Sequence, residues 1–375
     1  MKTEKNKHKV AVLTRNFDSS KGGAERYCVE LTKRLSNLYD VHVFCQSKGK
    51  DIDIGKINFH HVLSFPGSRF INQLFFYFHT RKLTKGAFDL IHSHEILPNA
   101  DILTIHVQCF KTHVSKSKGI KKLVNYISLI LSPRKLAYFL LEKKTFSGKN
   151  KRFICVSDYI KQNLLENYRL NENLIDIAMP GININSHAQS AFKPSNKFKL
   201  PDNSFRILFV GNGFERKGLP TLLKAFNGIK SNDIYLLVAG KGNKNEALKN
   251  NISDKKIIFL GQVQHMHNLY ELCDILVHPT LEDTFAMSVL EAMINKIPVI
   301  VSSKKYCGIV EYLDDNEVLI LDNPKDSKEL SKKLNLLINN AELRKKMSRN
   351  GFNKAKEFSW EKTLSQTVNS YSKLL

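Results

Sequence analysis

The chain has 375 residues, 42% of them hydrophobic, which is enough to bury an ample core and favours two domains over one. Its six cysteines are scattered without a CxxC pair, which argues against a disulfide framework or a zinc site and for a reducing compartment. The net charge of +23 suggests a polyanionic partner (nucleic acid, anionic lipid or a phosphorylated substrate), although lysine-rich solvated surfaces explain part of the surplus.

The sequence shows no sign of a membrane span or a signal peptide. The first residues, "MKTEKNKHKVAVL", are charged and run into an apolar stretch that is too short for a signal peptide. No stretch approaches the ~18 apolar residues that a spanning helix needs. We therefore expect a soluble or peripheral protein in the cytoplasm.

The first half of the chain begins with a βαβ pattern. The strand-like "VAVLT" is followed by the loop "RNFDSSKGG", the amphipathic helix "AERYCVELTKRL" and the strand "VHVFCQ". In this loop Gly22 and Gly23 could bring backbone amides against an anion, although a diglycine alone is equally typical of a tight turn. Further strands are predicted at "FDLIHSH", "ILTIHVQ" and "RFICVS".

A strongly basic segment lies within this half, at residues 116–152. It carries eleven Lys or Arg and a single acid, Glu142, with Leu, Ile, Tyr and Phe residues between them. Such a basic amphipathic segment is typical of binding to an anionic membrane surface. The alternative is a core helix whose outer face is rich in lysine.

The polar, proline-containing stretch 186–204 is predicted to be a linker, after which the pattern restarts with "FRILFVG" and further buried strands. We thus expect one domain at 1–185 and a second domain at 205–355. A helix at 356–375 is expected to pack back on the first domain. The fold class is α/β, with two doubly wound Rossmann-like domains whose ligands bind at the carboxyl ends of strands.

Two loops of the second domain could carry chemistry. In "VGNGFERKG", small residues including Gly211 let the backbone approach a ligand, and Arg216 and Lys217 stand beside a helix N-terminus that favours phosphate. The spacing fits neither a P-loop nor a dinucleotide fingerprint, and a flexible basic turn is the alternative.

The second loop opens the stretch "PTLEDTFAMSVLEAM". A helix is predicted to begin near Phe285, which makes Asp283 a candidate cap. Glu291 lies inside the apolar helix, where an unpaired carboxylate would be costly, and it is suited to accept hydrogen bonds from hydroxyls.

These two loops together resemble the retaining glycosyltransferases of family 4, which have the GT-B fold. The family signature is two acids with seven residues between them, and Asp283 and Glu291 fit it, although Glu is usual at the first position and Glu282 is one residue out of register. The resemblance extends to "KGGAERY", "IHSHE", "TIHVQ", "CVSDYIKQNL" and "MPGIN", hence to nearly the whole chain. Within the family it is strongest to lipopolysaccharide core glucosyltransferases, which are peripheral membrane enzymes that use UDP-glucose.

The resemblance implies that the domain at 1–185 binds the acceptor and that the domain at 205–355 binds the nucleotide sugar. It also implies a role for each matching residue. Arg216 and Lys217 match the basic pair that neutralises the leaving diphosphate. Glu291 matches the carboxylate on the nucleotide ribose, and Asp283 matches the acid at the donor sugar hydroxyls. Gly22 and Gly23 match the loop near the diphosphate. His106 matches a histidine near the transferred sugar, although a lone histidine after a strand is more often structural.

The predicted function is therefore transfer of a hexose, glucose by the closer resemblance, from a UDP-sugar to a membrane glycolipid such as lipopolysaccharide core. The resemblance implies retention of configuration and no metal or other cofactor. Lys121, Lys122, Lys143 and Lys144 would bind the anionic inner face of the cytoplasmic membrane. The alternatives are a same-fold enzyme on a soluble acceptor, such as a phosphorylase or a nucleotide-sugar epimerase, and a nucleic-acid-binding protein. No helix-turn-helix, RRM or zinc pattern supports the latter.

Overall fold

In the computed structural model, the chain forms two compact units, and the first of them contains residues from both ends of the chain. The first unit is Met1–Gly181 together with Trp360–Leu375, and the second is Ile182–Ser359. The structure describes residues 7–50, 52, 55–65, 67–115, 119, 124, 127–129, 131–148, 151–183, 200–201, 203–229, 233–243, 256–263 and 266–375. Most of the predicted linker 186–204 lies outside these residues, as do Lys121 and Lys122.

The described part of the first unit is built around a parallel sheet. Its strands are apolar and buried, as strands covered on both faces must be. In spatial order they run β5-β3-β1-β6-β7-β8-β9, and β2 pairs separately with β4. In chain order the strands are β1 (Lys9–Leu13), β2 (Asn16–Phe17), β3 (Asp40–Cys45), β4 (Ser47–Lys48), β5 (Ile57–His61), β6 (Leu90–Ser93), β7 (Ile102–Ile105), β8 (Arg152–Cys155) and β9 (Ile175–Ile177).

The second unit contains its own parallel sheet, and runs such as "ILVH" and "VIVS" form its fully buried centre. The spatial order is β12-β11-β10-β13-β14-β15. Strands β11 and β12 therefore lie on one side of β10, and the later strands lie on the other side. The strands are β10 (Phe205–Val210), β11 (Ile234–Ala239), β12 (Ile257–Gly261), β13 (Ile275–His278), β14 (Val299–Ser302) and β15 (Leu319–Leu321). Two doubly wound α/β units confirm the predicted fold class.

Helices lie between many of the strands in both units. Those of the first unit are α1 (Gly23–Leu35), α2 (Arg69–Thr84), α3 (Phe110–Ser115), α4 (Pro133–Phe146) and α5 (Asp158–Asn167). Those of the second unit are α6 (Leu219–Asn227), α7 (Met266–Glu271), α8 (Met287–Ile294), α9 (Ser327–Asn339) and α10 (Ala341–Ala355), and the chain then returns to the first unit with α11 (Trp360–Tyr371).

Helix α11 completes the core of the first unit. The ring of Trp360 lies 5.8 Å from that of Tyr27, edge to face, and Tyr371 is fully buried. The Tyr371 hydroxyl lies 2.7 Å from His92 Nδ1, and Thr363 Oγ1 donates to the Met179 carbonyl at 2.6 Å. Aromatic burial and two hydrogen bonds therefore fix this helix.

Parallel strands place the loops that follow them at one edge of each sheet. In the first unit the loops after β1, β6 and β7 are neighbours, because these three strands are adjacent. In the second unit the loops after β10 and β13 are neighbours for the same reason.

Within the described residues, no helix combines the length and the apolar character that crossing a membrane requires.

Candidate active site

Two glycines, Gly211 and Gly218, shape the loop after β10. Any larger residue at either position would displace a neighbouring group. Gly218 has φ +78°, and a Cβ there would lie 1.8 Å from the Pro279 carbonyl oxygen. A Cβ on Gly211 would lie 2.8 Å from Cγ of Lys217. Gly211 therefore makes room for the Lys217 stem, a packing role that the sequence did not indicate.

Lys217 is held at this sheet edge as a buried cation. Only 8% of the residue is exposed, and its ammonium group binds the Asp283 carboxylate. The two residues come from the loops after β10 and β13, which lie side by side. A buried lysine needs such a partner because the desolvated charge would otherwise be costly.

Asp283 is the centre of a small hydrogen-bonded cluster. His278 Nε2 lies 2.9 Å from Oδ2, the oxygen that also binds Lys217, and His278 itself is 1% exposed. Oδ1 accepts hydrogen bonds from the amides of Ala286 at 3.0 Å and Phe285 at 3.4 Å. Burial alone would raise the pKa of Asp283, but Lys217 and His278 hold it well below its usual range, so this carboxyl is ionised.

The turn after Asp283 corrects the predicted start of the helix. Helix α8 begins at Met287 rather than near Phe285. Ala286 precedes it in the left-handed region, with φ 72° and ψ 68°. Asp283 thus stabilises the turn that leads into α8, instead of capping the helix directly.

Arg216 is exposed, in contrast to its neighbour. Its Nη1 donates to the Glu282 carbonyl at 3.1 Å, and the amide of Leu281 donates to the Arg216 carbonyl at 2.9 Å. The guanidinium is therefore placed beside the loop that carries Asp283, with donor groups left for an anion.

Glu291 is not the buried carboxylate that its position in an apolar helix predicted. The residue is half-buried, and its Oε2 accepts a hydrogen bond of 2.8 Å from the Tyr270 hydroxyl of α7. The prediction of an enclosed carboxylate was wrong, because α8 turns this position toward solvent beside Tyr270. A half-exposed carboxylate can reach a ligand, which burial would prevent.

In the first unit, the predicted diglycine opens α1. Gly22 is the residue before the helix, in an extended conformation, and Gly23 is its first residue. A Cβ on Gly22 would lie 2.9 Å from Oε2 of Glu25. Nearby, the carboxylate of Glu95, which follows β6, binds the guanidinium of Arg15 at 3.0 Å.

His106 follows β7 and belongs to a set of three histidines. Its Nε2 lies 3.0 Å from His94 Nδ1, and the two rings are stacked, with centroids 5.3 Å apart. His92 is fully buried, between the Tyr371 hydroxyl and Thr104 Oγ1, each at 2.7 Å. Burial lowers the pKa of both His92 and His106 to about 3, so these rings are neutral near pH 7.

The basic segment has two distinct faces where the structure describes it. On α4, Leu141, Glu142 and Phe146 point inward, and the Glu142 carboxylate accepts the Phe110 and Lys111 amides at 2.6 and 3.1 Å. The opposite face exposes Leu136 (37%), Leu140 (53%), Lys143 and Lys144. This exposed face of α4 therefore combines two leucines with two lysines.

Sequence reasoning missed three residues of these clusters, His278, His94 and Tyr270. His278 could have been noticed, because a histidine inside the buried strand "ILVH" needs polar partners. His94 and Tyr270 gave no local signal, since their partners come from other strands and helices.

The two halves of the chain can be compared with known families. Residues 21–186 match the model of Glycosyltransferase Family 4, and residues 192–354 match that of Glycosyl transferases group 1. The chain belongs to glycosyltransferase family 4. It is an enzyme of that family, as the sequence predicted.

Relatives of this family-4 glycosyltransferase span its length. An uncharacterised glycosyltransferase of Methanocaldococcus jannaschii is 27% identical over 361 residues, covering 94% of this chain and 95% of its own. The lipopolysaccharide glucosyltransferase WaaG of Escherichia coli is 23% identical over 263 residues, covering 66% of this chain and 67% of its own.

Solved structures show the same GT-B fold. The crystal structure of WaaG, a glycosyltransferase involved in lipopolysaccharide biosynthesis, superposes with a TM-score of 0.83 at 19% identity, covering 96% of this chain and 98% of that one. The structure of Anabaena HepE in complex with UDP and glucose superposes with a TM-score of 0.75 at 17% identity, covering 98% and 100%.

Proposed function

We propose that this family-4 glycosyltransferase transfers a hexose, glucose being the first candidate, from a UDP-sugar to a membrane glycolipid, with retention of configuration. The observation that carries the proposal is the pairing of buried Lys217 with exposed Arg216 at the N-terminal side of α6. Two cations beside a helix N-terminus suit a nucleotide diphosphate. Anabaena HepE, which shares the fold, binds UDP and glucose.

The chemistry asked of this cation pair is the stabilisation of the leaving group. In glycosyl transfer the sugar develops oxocarbenium character while negative charge grows on the departing diphosphate. Fixed cations aimed at that charge lower the barrier most, because they interact more strongly with the transition state than with the bound donor. Arg216 and Lys217 would fill the role that a divalent metal plays in other transferases, so we expect activity to survive EDTA.

The remaining donor contacts are assigned to carboxylates and glycine amides. Glu291, half-exposed beside Tyr270, would accept hydrogen bonds from the ribose hydroxyls. Asp283 would act at the donor sugar hydroxyls and also hold Lys217 in place. In the first unit, Gly22 and Gly23 would present amides to the diphosphate, and His106 would contact the transferred sugar.

A lipid-linked acceptor is supported by the outer face of α4. Leu136 and Leu140 project from it next to Lys143 and Lys144, with no acid exposed between them on this helix. Apolar side chains flanked by cations fit the headgroup region of an anionic bilayer. Lys121 and Lys122, which precede this helix, would add to the attraction on the cytoplasmic side of the membrane.

The experiment that tests the proposal has two stages. Thermal unfolding of the full chain is measured with UDP-, GDP- and ADP-sugars, since a ligand that binds only the folded state raises the midpoint. The stabilising donor, radiolabelled in its sugar, is then incubated with lipid extracts and with soluble acceptors, with and without EDTA. Label in the lipid fraction supports the proposal. Label only in soluble products favours the soluble-acceptor enzyme, and strict dependence on Mg²⁺ contradicts the cation-pair mechanism.

A further inference from the structure

The stacked pair His94 and His106 has a hydrogen-bond pattern that specifies where one proton lies. His94 Nδ1 and His106 Nε2 are 3.0 Å apart, which is hydrogen-bond distance between two ring nitrogens. In a neutral pair one of these nitrogens carries the hydrogen and the other accepts it. If His94 is the donor, the other hydrogen of the pair lies on His106 Nδ1. If His106 is the donor, it lies on His94 Nε2.

The far nitrogen of His94 decides between the two arrangements. His94 Nε2 is buried and has no hydrogen-bond partner among the residues that the structure describes. If His106 were the donor, His94 would carry its own hydrogen on Nε2, and that N–H would be orphaned. Buried N–H groups without a partner are rarer than unsatisfied acceptors, so His94 Nδ1 is the donor and His94 Nε2 a bare lone pair.

The surroundings keep both rings in place. Tyr27, itself buried, packs against the His106 ring edge to face with centroids 5.0 Å apart. His92 lies beside His94, with ring centroids 4.6 Å apart, but both of its nitrogens are already engaged by Tyr371 and Thr104. His92 therefore offers no hydrogen-bonding atom to His94 Nε2.

We propose that His94 is a positioning residue that fixes His106 in the Nδ1–H tautomer, so that His106 offers an N–H donor to a hydroxyl oxygen of the sugar. His106 Nε2 is occupied by His94, and His106 is partly exposed, so Nδ1 is the nitrogen through which it can address a ligand. This inference rests on the proposed function for the identity of the ligand. The tautomer itself does not depend on that function.

The tautomer is measured directly by long-range ¹H–¹⁵N NMR on the full chain, in which protonated and bare imidazole nitrogens have different shifts. Assignment comes from the His106→Gln spectrum. We expect a protonated Nδ1 and a bare Nε2 in His106, and the reverse pattern in the His94→Leu variant, since Nε2–H is the form that free imidazole side chains favour in water. A protonated Nε2 in the parent His106 overturns the proposal whether or not the His94 variants fold.

Kinetics with a matched pair of variants test the consequence for the sugar. His94→Asn places an amide N–H near the former Nδ1 and can keep the tautomer, whereas His94→Leu removes the donor at similar size. We expect kcat to fall about tenfold in His94→Leu, which corresponds to one transition-state hydrogen bond, and to stay within about threefold in His94→Asn. Equal losses in both variants at equal thermal midpoints would contradict the positioning role. If the parent transfers no sugar from any nucleotide sugar, the proposed function fails, and the NMR result alone decides the tautomer.

Discussion

His278 Nε2 and Asp283 Oδ2 lie 2.9 Å apart, and the imidazole is almost fully buried. Lys217 binds the same oxygen, and two backbone amides bind the other. The four acceptor directions of a carboxylate are thus occupied in the described structure. A sugar hydroxyl that approaches Asp283 must displace one of these donors, and Lys217 is the one that a diphosphate would attract away.

Variants of Arg216 and Lys217 should lose more in turnover than in donor binding. We expect Lys217→Ala to lower kcat by about 10²–10³, and Arg216→Ala by a smaller factor, with modest changes in affinity for the UDP-sugar donor, because charge on the diphosphate grows in the transition state. Lys217→Ala should also lower the thermal midpoint, since it removes the cation from a buried carboxylate. Initial rates measure kcat, titration with the UDP-sugar measures donor affinity, and thermal unfolding measures the midpoint. Affinity losses with unchanged turnover would refute the leaving-group role.

The ribose contact is tested by isosteric changes at one hydrogen bond. Glu291→Gln should weaken UDP-sugar binding about tenfold while leaving the thermal midpoint unchanged, because the amide is a poorer acceptor for hydroxyls. Tyr270→Phe removes the hydroxyl that donates to Glu291 and should have a smaller effect on affinity. Isothermal titration with UDP decides. Parent-like binding by Glu291→Gln would exclude the ribose role.

Ala286 and Gly218 both have a positive φ. Removing a methyl group at one and adding a methyl group at the other should have opposite effects on the free energy of unfolding. Ala286→Gly removes the backbone strain of a non-glycine residue at φ 72°. It should raise the free energy of unfolding by roughly 0.5–1 kcal/mol, once the greater freedom of glycine in the unfolded chain has been subtracted. Gly218→Ala places a Cβ 1.8 Å from a backbone oxygen and should cost several kcal/mol, about 3 or more. Chemical denaturation of both variants measures the changes. A stable Gly218→Ala protein would contradict the described loop geometry.

Acid should destabilise the first unit through its neutral histidines. His92 titrates near 6.5 when unfolded, but burial lowers its pKa to about 3 in the folded state. Stability is therefore complete above about pH 6.5 and is lost as pH falls toward 3, because the unfolded chain then binds a proton that the folded chain does not. The loss is about 2 kcal/mol at pH 5 for such a histidine.

Denaturant unfolding at pH 7.5, 6 and 5 measures this loss. His92→Gln should reduce the pH dependence by about one proton, and His61→Gln, at an exposed position, is the matched control. A denaturation midpoint that stays constant between pH 7.5 and 5 would contradict the assignment of neutral buried rings.

Membrane binding is tested by charge reversal on α4. We expect the parent to co-sediment with anionic vesicles but not zwitterionic ones, and less so as salt shortens the Debye length from about 10 Å toward 3 Å. Changing Lys143 and Lys144 to Glu, together with Lys121 and Lys122, should release the protein while sparing UDP binding. The same reversal at exposed Lys345 and Lys346 of α10 is the control. Binding that survives the α4 change, or is lost equally in the control, would argue against this surface.

The sequence predicted the architecture well because buried parallel strands are continuous apolar runs. The strand β5 was missed since "INFHH" has polar residues that interrupt the pattern. The start of α8 was misplaced because the Asp283 turn and the left-handed Ala286 use two residues, Phe285 and Ala286, that periodicity assigns to a helix. Pairings such as Lys217 with Asp283, 66 positions apart, depend on which strands become neighbours, and no local pattern states that.

The return of α11 to the first unit has a consequence for the order of folding. The hydrogen bond between His92 and Tyr371 joins residues 279 positions apart, with the whole second unit synthesised between them. A ribosome therefore exposes the first unit for the entire time that the second is made, with the surface that Trp360 and Tyr371 later cover still open. Nascent chains arrested before residue 360 should consequently recruit a chaperone that recognises apolar surface, and release it once α11 has emerged.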